Sequence, residues 1–90
     1  MAIVRIPTPL RDLTDGASSV SCRGASVREV VVSFDAAYPG VGRRILDDSG
    51  ELHRFVNMFV GEEDIRDREG LETAVTDADV VSIVPAVAGG

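Results

Sequence analysis

Val80-Val81-Ser82-Ile83-Val84 runs directly into Pro85-Ala86-Val87-Ala88-Gly89-Gly90. The first five residues are β-branched except for Ser82 and follow the polar, turn-like Thr76-Asp77-Ala78-Asp79, so they read as a strand. Alternation sends Val81 and Ile83 into a core and Val80 and Val84 outward. Pro85 has no N–H to donate and is expected to stop ladder pairing. The residues after it are small and uncharged and finish in two glycines. Such backbone can thread a narrow channel and adopt φ values closed to other residues. The group this tail offers to chemistry is the α-carboxylate of Gly90, with Val87, Ala88 and Gly89 as its stem. The division expected is a domain over residues 1–84 and a flexible tail over 85–90.

Working back from that strand, Ala2-Ile3-Val4-Arg5-Ile6 reads as a first strand, with Val4 and Ile6 inward because Arg5 faces water. Pro7-Thr8-Pro9 breaks it, residues 10–16 form a hairpin connection, and Ser18 to Cys22 return as a second strand. Ser26-Val27-Arg28-Glu29 fits a capping box, with Ser26 as N-cap and Glu29 reaching back to the N–H of Ser26. Val27, Val30, Val31, Phe34 and Tyr38 recur at helical spacing and mark a buried stripe, which leaves Asp35 on the exposed side. Pro39-Gly40 ends the helix. Val41 to Leu46 is a short turn or helical piece, and Asp47-Asp48-Ser49-Gly50 a solvated loop without the spacing of a calcium site. Leu52 to Val60 reads as one long strand. Its inward face carries Val56, Met58 and Val60, and its outward face Phe55, Asn57 and Phe59. Glu62-Glu63-Asp64 is expected to turn the chain, Ile65-Arg66 to pair back, and Leu71, Ala74 and Val75 to tuck beneath the sheet. Strand–strand–helix–strand–strand with an apolar last strand is the order of an α+β, β-grasp (ubiquitin-like) fold. It has a mixed sheet with one main helix packed on one face, and the final strand lies parallel to the first. Outward Phe55, Phe59 and Val84, close to the tail, form an apolar patch of the kind that docks a partner.

Composition narrows the function classes. Ninety residues make one small domain, and its core must be Val, Ile and Leu because there is no Trp, one Tyr and three Phe. A net charge of −6 argues against nucleic acid and points to a basic docking surface on a protein partner. No apolar run is long enough to span a membrane, and the first residues lack the pattern of a signal peptide, so the cytoplasm is the expected compartment. All nine basic residues are Arg, so no lysine side chain is available for self-conjugation. Cys22 is the lone cysteine and reads as a small half-buried filler rather than a nucleophile or sulfur relay; His53 is the lone histidine and reads as a surface strand residue. The sequence supplies no nucleophile–base pair, no phosphate-cradling glycine loop and no metal cluster, so no catalytic or metal-binding residue is expected.

The stretch Asp79 to Gly90 resembles the end of the ubiquitin-like sulfur carriers of the ThiS/MoaD family. His53-Arg54-Phe55-Val56-Asn57-Met58-Phe59-Val60, with Glu63-Asp64-Ile65-Arg66 after it, resembles more narrowly the branch of that family that serves an actinobacterial cysteine pathway. The resemblance covers nearly the whole chain. It implies a carrier and not an enzyme, with no bound cofactor. An ATP-dependent, ubiquitin-activating-type adenylyltransferase/sulfurtransferase would adenylate Gly90, and a sulfur donor would displace AMP to leave a terminal thiocarboxylate. A sulfur-accepting synthase, pyridoxal-phosphate dependent in the cysteine branch, would take the sulfur, and a metalloprotease would restore the Gly-Gly end. The tail is shared with carriers for molybdopterin, thiamin or thiosugar biosynthesis and with ubiquitin-like protein modifiers, which remain the alternatives. Six residues of extended tail reach roughly 20 Å.

Overall fold

A computed structural model of the protein describes residues 1–85. Strands β1 (Ala2–Arg5), β2 (Ser19–Cys22), β3 (Val56–Val60), β4 (Glu63–Asp64) and β5 (Val80–Pro85) form one sheet in the order β2-β1-β5-β3-β4. β1 and β5 run parallel at its centre, with Ile3 opposite Val80 and Val4 opposite Val81, and every other pairing is antiparallel. A parallel pair needs a long crossover. The crossover here carries the helices α1 (Val27–Ala37) and α2 (Val41–Ile45).

The alternation holds on every long strand. Val4, Val56, Met58, Val60, Val81 and Ile83 are buried and meet Val27, Val30, Val31 and Phe34 of α1 in a single core. Phe34 sits at the heart of that core and meets Tyr38 edge-on at 5.9 Å between ring centroids. Ser26 Oγ accepts from the N–H of Glu29 at 3.2 Å, as a capping box requires, but the Glu29 carboxylate accepts from Ala25 at 3.1 Å rather than from Ser26. Gly24 just before it has φ 155°, and a Cβ there would lie 2.6 Å from the backbone nitrogen of Val30, so only glycine fits against the first turn of α1.

Several local expectations are corrected. The connection between β1 and β2 is a 3₁₀ helix over Thr8–Leu13 and not an open hairpin region. The strand expected from Leu52 starts only at Val56, because Leu52 bridges Leu46 and the chain turns at Arg54 and Phe55, where the N–H of Val56 donates to the carbonyl of His53. It is Glu63–Asp64 that pairs with β3, while Ile65–Asp67 is a 3₁₀ turn with Asp64 accepting from the N–H of Arg66. Leu71 and Val75 are buried as expected, but Ala74 is exposed and bridges Ser26. Pro85 remains opposite Val56 as the last residue of β5: lacking only the N–H, it can close a ladder it could not continue. Asp35 is half-buried rather than solvent-facing. Its Oδ1 accepts from Gly40 at 3.1 Å and Gly42 at 2.9 Å, which holds the turn between α1 and α2, and a Cβ on Gly42 would collide with it.

These packing differences set an order of damage in urea unfolding. Phe34→Ala is expected to cost about 3–5 kcal/mol, because it empties the core centre. Asp35→Ala should cost about 1–3 kcal/mol, because it strands two amide donors. Ser26→Ala should cost about 1 kcal/mol. An Asp35→Ala midpoint equal to that of the unsubstituted protein would mean that the turn between the helices stands without the carboxylate.

Candidate functional site

The candidate site lies at the end of β5. Pairing brings Asn57 opposite Val84 and Phe59 opposite Ser82 on the face away from α1, and brings Ile3 opposite Val80 on the far side of β5. Both helices join the inner core, so this outer face keeps exposed apolar surface. Phe55 is 48% exposed, Val84 42% and Ile3 38%, while Phe59 is half-buried among its strand neighbours. The three docking residues expected from alternation therefore lie on the outward side or its margin, with Phe59 the least open of them. Ile3 belongs to the same face and was missed; alternation from Val4 already turns it outward.

The corner that carries Phe55 is built by Arg66. Its guanidinium donates to the carbonyl of Val56 at 2.8 Å, to the carbonyl of His53 at 3.3 Å and to the side chain of Asn57. Three acceptors on one planar fork hold residues 53–57 in place, a task for which a lysine has the wrong shape. His53 Nδ1 accepts from the N–H of Phe55 at 3.2 Å, and the two rings stand 5.6 Å apart, so His53 is a half-buried corner residue and not a strand residue. Arg54 lies over the Phe55 ring at 5.9 Å.

Two open cavities flank the end of β5. One, of about 370 Å³, is bounded by Arg43 and Arg44 of α2, His53, Phe55, Ile83 and Pro85. The other, of about 460 Å³, lies beside Arg5, Arg11, Ser82 and Val84. Val87, Ala88, Gly89 and Gly90, the expected tail and reactive terminus, lie outside the described residues.

The remaining candidates fall away from this place. Cys22 is buried, and burial pushes its thiol up from the ordinary range, which keeps it a neutral filler. Among the described residues, no cluster of three or more His, Cys, Asp and Glu could hold a metal ion, and no helix is long and apolar enough to cross a membrane.

Comparison with known proteins places these features. The profile of the ThiS family matches residues 4–90. The sulfur carrier protein CysO of Mycobacterium tuberculosis is 49% identical over 89 residues, covering 97% of this chain and 96% of that protein. The crystal structure of the Amycolatopsis orientalis BexX/CysO complex contains a chain that superposes with a TM-score of 0.94 at 42% identity, each chain being covered completely. The small archaeal modifier protein 1 of Methanosarcina acetivorans superposes with a TM-score of 0.84 at 30% identity, over 99% of this chain and 95% of that one.

The two faces of β3 and β5 should separate in stability measurements. Phe55→Ala and Val84→Ser are expected to change the unfolding free energy by less than about 1 kcal/mol. Met58→Ala, one position along the inner face, should cost about 2–5 kcal/mol. Comparable losses for Phe55→Ala and Met58→Ala would show that the outer face is packed and not free to dock.

Proposed function

The chain belongs to the ThiS family, and from that premise we propose that it is a sulfur carrier whose Gly90 α-carboxylate is the site of activation. The observation that carries the proposal is the junction of a family match running through residue 90 with a strand whose last described residue, Pro85, lies between exposed apolar surface and a cavity. The carboxylate is ionised at neutral pH and is a poor electrophile, so it needs activation. An ATP-dependent partner joins it to AMP with release of pyrophosphate. A sulfur donor then adds sulfur to the acyl carbon as AMP leaves, which yields the thiocarboxylate. ATP is consumed by the partner, and the carrier contributes the tail and the docking surface formed by Phe55, Phe59 and Val84. The likeness to CysO favours cysteine biosynthesis as the destination, with an activated serine as acceptor on a pyridoxal-phosphate synthase and a metalloprotease freeing the product.

The likeness to a small archaeal modifier protein favours a second reading, in which the activated Gly90 is attacked by an amine of a target protein. Intact mass spectrometry after incubation with ATP, sulfide and the activating enzyme of the same genome separates the two. A mass gain equal to replacement of one oxygen by sulfur supports the carrier; an adduct joined to a protein lysine supports the modifier. Removal of Gly89 and Gly90 is expected to abolish the sulfur gain and to leave the melting temperature nearly unchanged. A large fall in melting temperature would mean that the tail is part of the packed structure.

Phe59→Asp tests the docking surface. It places a charge in an apolar contact and should weaken binding to the activating enzyme by roughly 2 kcal/mol or more, with the circular dichroism spectrum retained. Undiminished binding by a folded variant would remove Phe59 from the interface.

A further inference from the structure

The nine arginines of this lysine-free chain divide by what they bind. Arg28 donates to Glu72 and to the carbonyl of Gly50, Arg68 to Glu63, Arg66 to the 53–57 corner and Arg11 to the carbonyl of Ile6. Arg5, Arg23, Arg43 and Arg44 are exposed and have no hydrogen-bond or ion-pair partner among the described residues, Arg54 has only the Phe55 ring, and Arg23 lies apart beside Cys22 and the start of α1. Arg5, Arg43, Arg44 and Arg54 gather toward the end of β5. Arg43 and Arg44 border the cavity that Pro85 lines, Arg5 borders the one that Val84 lines, and Arg54 lies over the ring of Phe55, which lines the first of them. Among the described residues, no Asp or Glu lines either cavity.

The charge where the tail leaves is therefore the reverse of the charge of the molecule, which carries a net −6. Like charges brought together at a surface repel one another, and the repulsion is relieved when carboxylates meet them. Guanidinium groups suit that role because their fork donates two parallel N–H···O bonds to a single carboxylate. We propose that Arg5, Arg43, Arg44 and Arg54 form a basic collar that docks on a carboxylate-lined rim around the channel by which the activating enzyme takes the tail. The proposal rests on the sulfur-carrier reading above. An acidic rim attracts the collar and repels the rest of this acidic molecule, so the field turns the end of β5 toward the channel before contact. The apolar outer face then supplies adhesion, while the collar supplies orientation.

The test uses the full chain with ATP, sulfide and the activating enzyme of the same genome, and reads initial rates of thiocarboxylate formation by intact mass. For the unsubstituted chain, KM should rise as sodium chloride is raised to about 0.3 M, where exposed charges are screened within a few ångströms. The Arg43→Glu/Arg44→Glu variant should raise KM at low salt by about tenfold or more, keep kcat within about twofold, and lose the rise with salt. Arg43→Gln/Arg44→Gln should fall between the two, and serves in place of the charge reversal should that variant fold poorly. Arg23→Glu, which alters an arginine away from the collar, should leave KM within about twofold. Thiocarboxylate formed by the unsubstituted chain with equal KM in the double variants would overturn the collar alone. Equal loss with Arg23→Glu would overturn it in favour of net charge. No thiocarboxylate from the unsubstituted chain would overturn the carrier reading and the collar with it.

Discussion

The parallel pairing of β1 with β5 is the constraint on which the rest depends. Two strands that run side by side in one direction cannot be joined by a tight turn, so the chain between them must leave the sheet and cross it. That crossover carries α1, whose Val27, Val30, Val31 and Phe34 cover the inner face that Val4 and Val81 present. The pairing also makes β5 a central strand, held by β1 on one side and β3 on the other. Val80 to Ser82 are paired with β1, and Val81 to Pro85, the end included, are paired with β3. Pro85, the last described residue, is held in the ladder opposite Val56.

Two side chains that look solvated by pattern complete that geometry. Asp35 holds the amides of Gly40 and Gly42 and so sets where α2, with Arg43 and Arg44, stands relative to β5. Arg66 gathers the carbonyls of His53 and Val56 and the side-chain oxygen of Asn57, which fixes the corner that presents Phe55. Both act on backbone groups that would otherwise be left to water. Burying or ordering such groups without partners is costly, so single polar side chains can decide where a functional surface lies.

Membership in the ThiS family and the likeness to CysO and to a small archaeal modifier protein support the proposal that the tail carries the chemistry. A carrier and a modifier share the same demand on their fold: a terminus that reaches into another protein and a face that docks there. The outer sheet face, with Ile3, Phe55 and Val84 exposed and no helix of the described residues over it, is the face proposed for docking.

Alternation and the helical stripe made much of this fold legible in the sequence. Val4, Val56, Met58, Val60, Val81 and Ile83 turn inward as period-two patterning requires, and Ser26 caps α1 as its spacing with Glu29 requires. Both signals are local, because they depend on backbone geometry that repeats within a few residues. The outward direction of Phe59 and Val84 followed from the same rule, whereas Phe55 is exposed at the turn before β3. What only the tertiary structure decided depends on residues far apart in the chain. The role of Asp35 needed Gly42 in place; the shortening of β3 needed Leu52 to meet Leu46 and Arg66 to reach back to His53; the gathering of Arg5, Arg43, Arg44 and Arg54 needed three separate segments to fold to one end of the sheet. Net charge is a sum over the chain, and a sum carries no position, so an acidic sequence could not disclose that its charge is basic at the root of the tail.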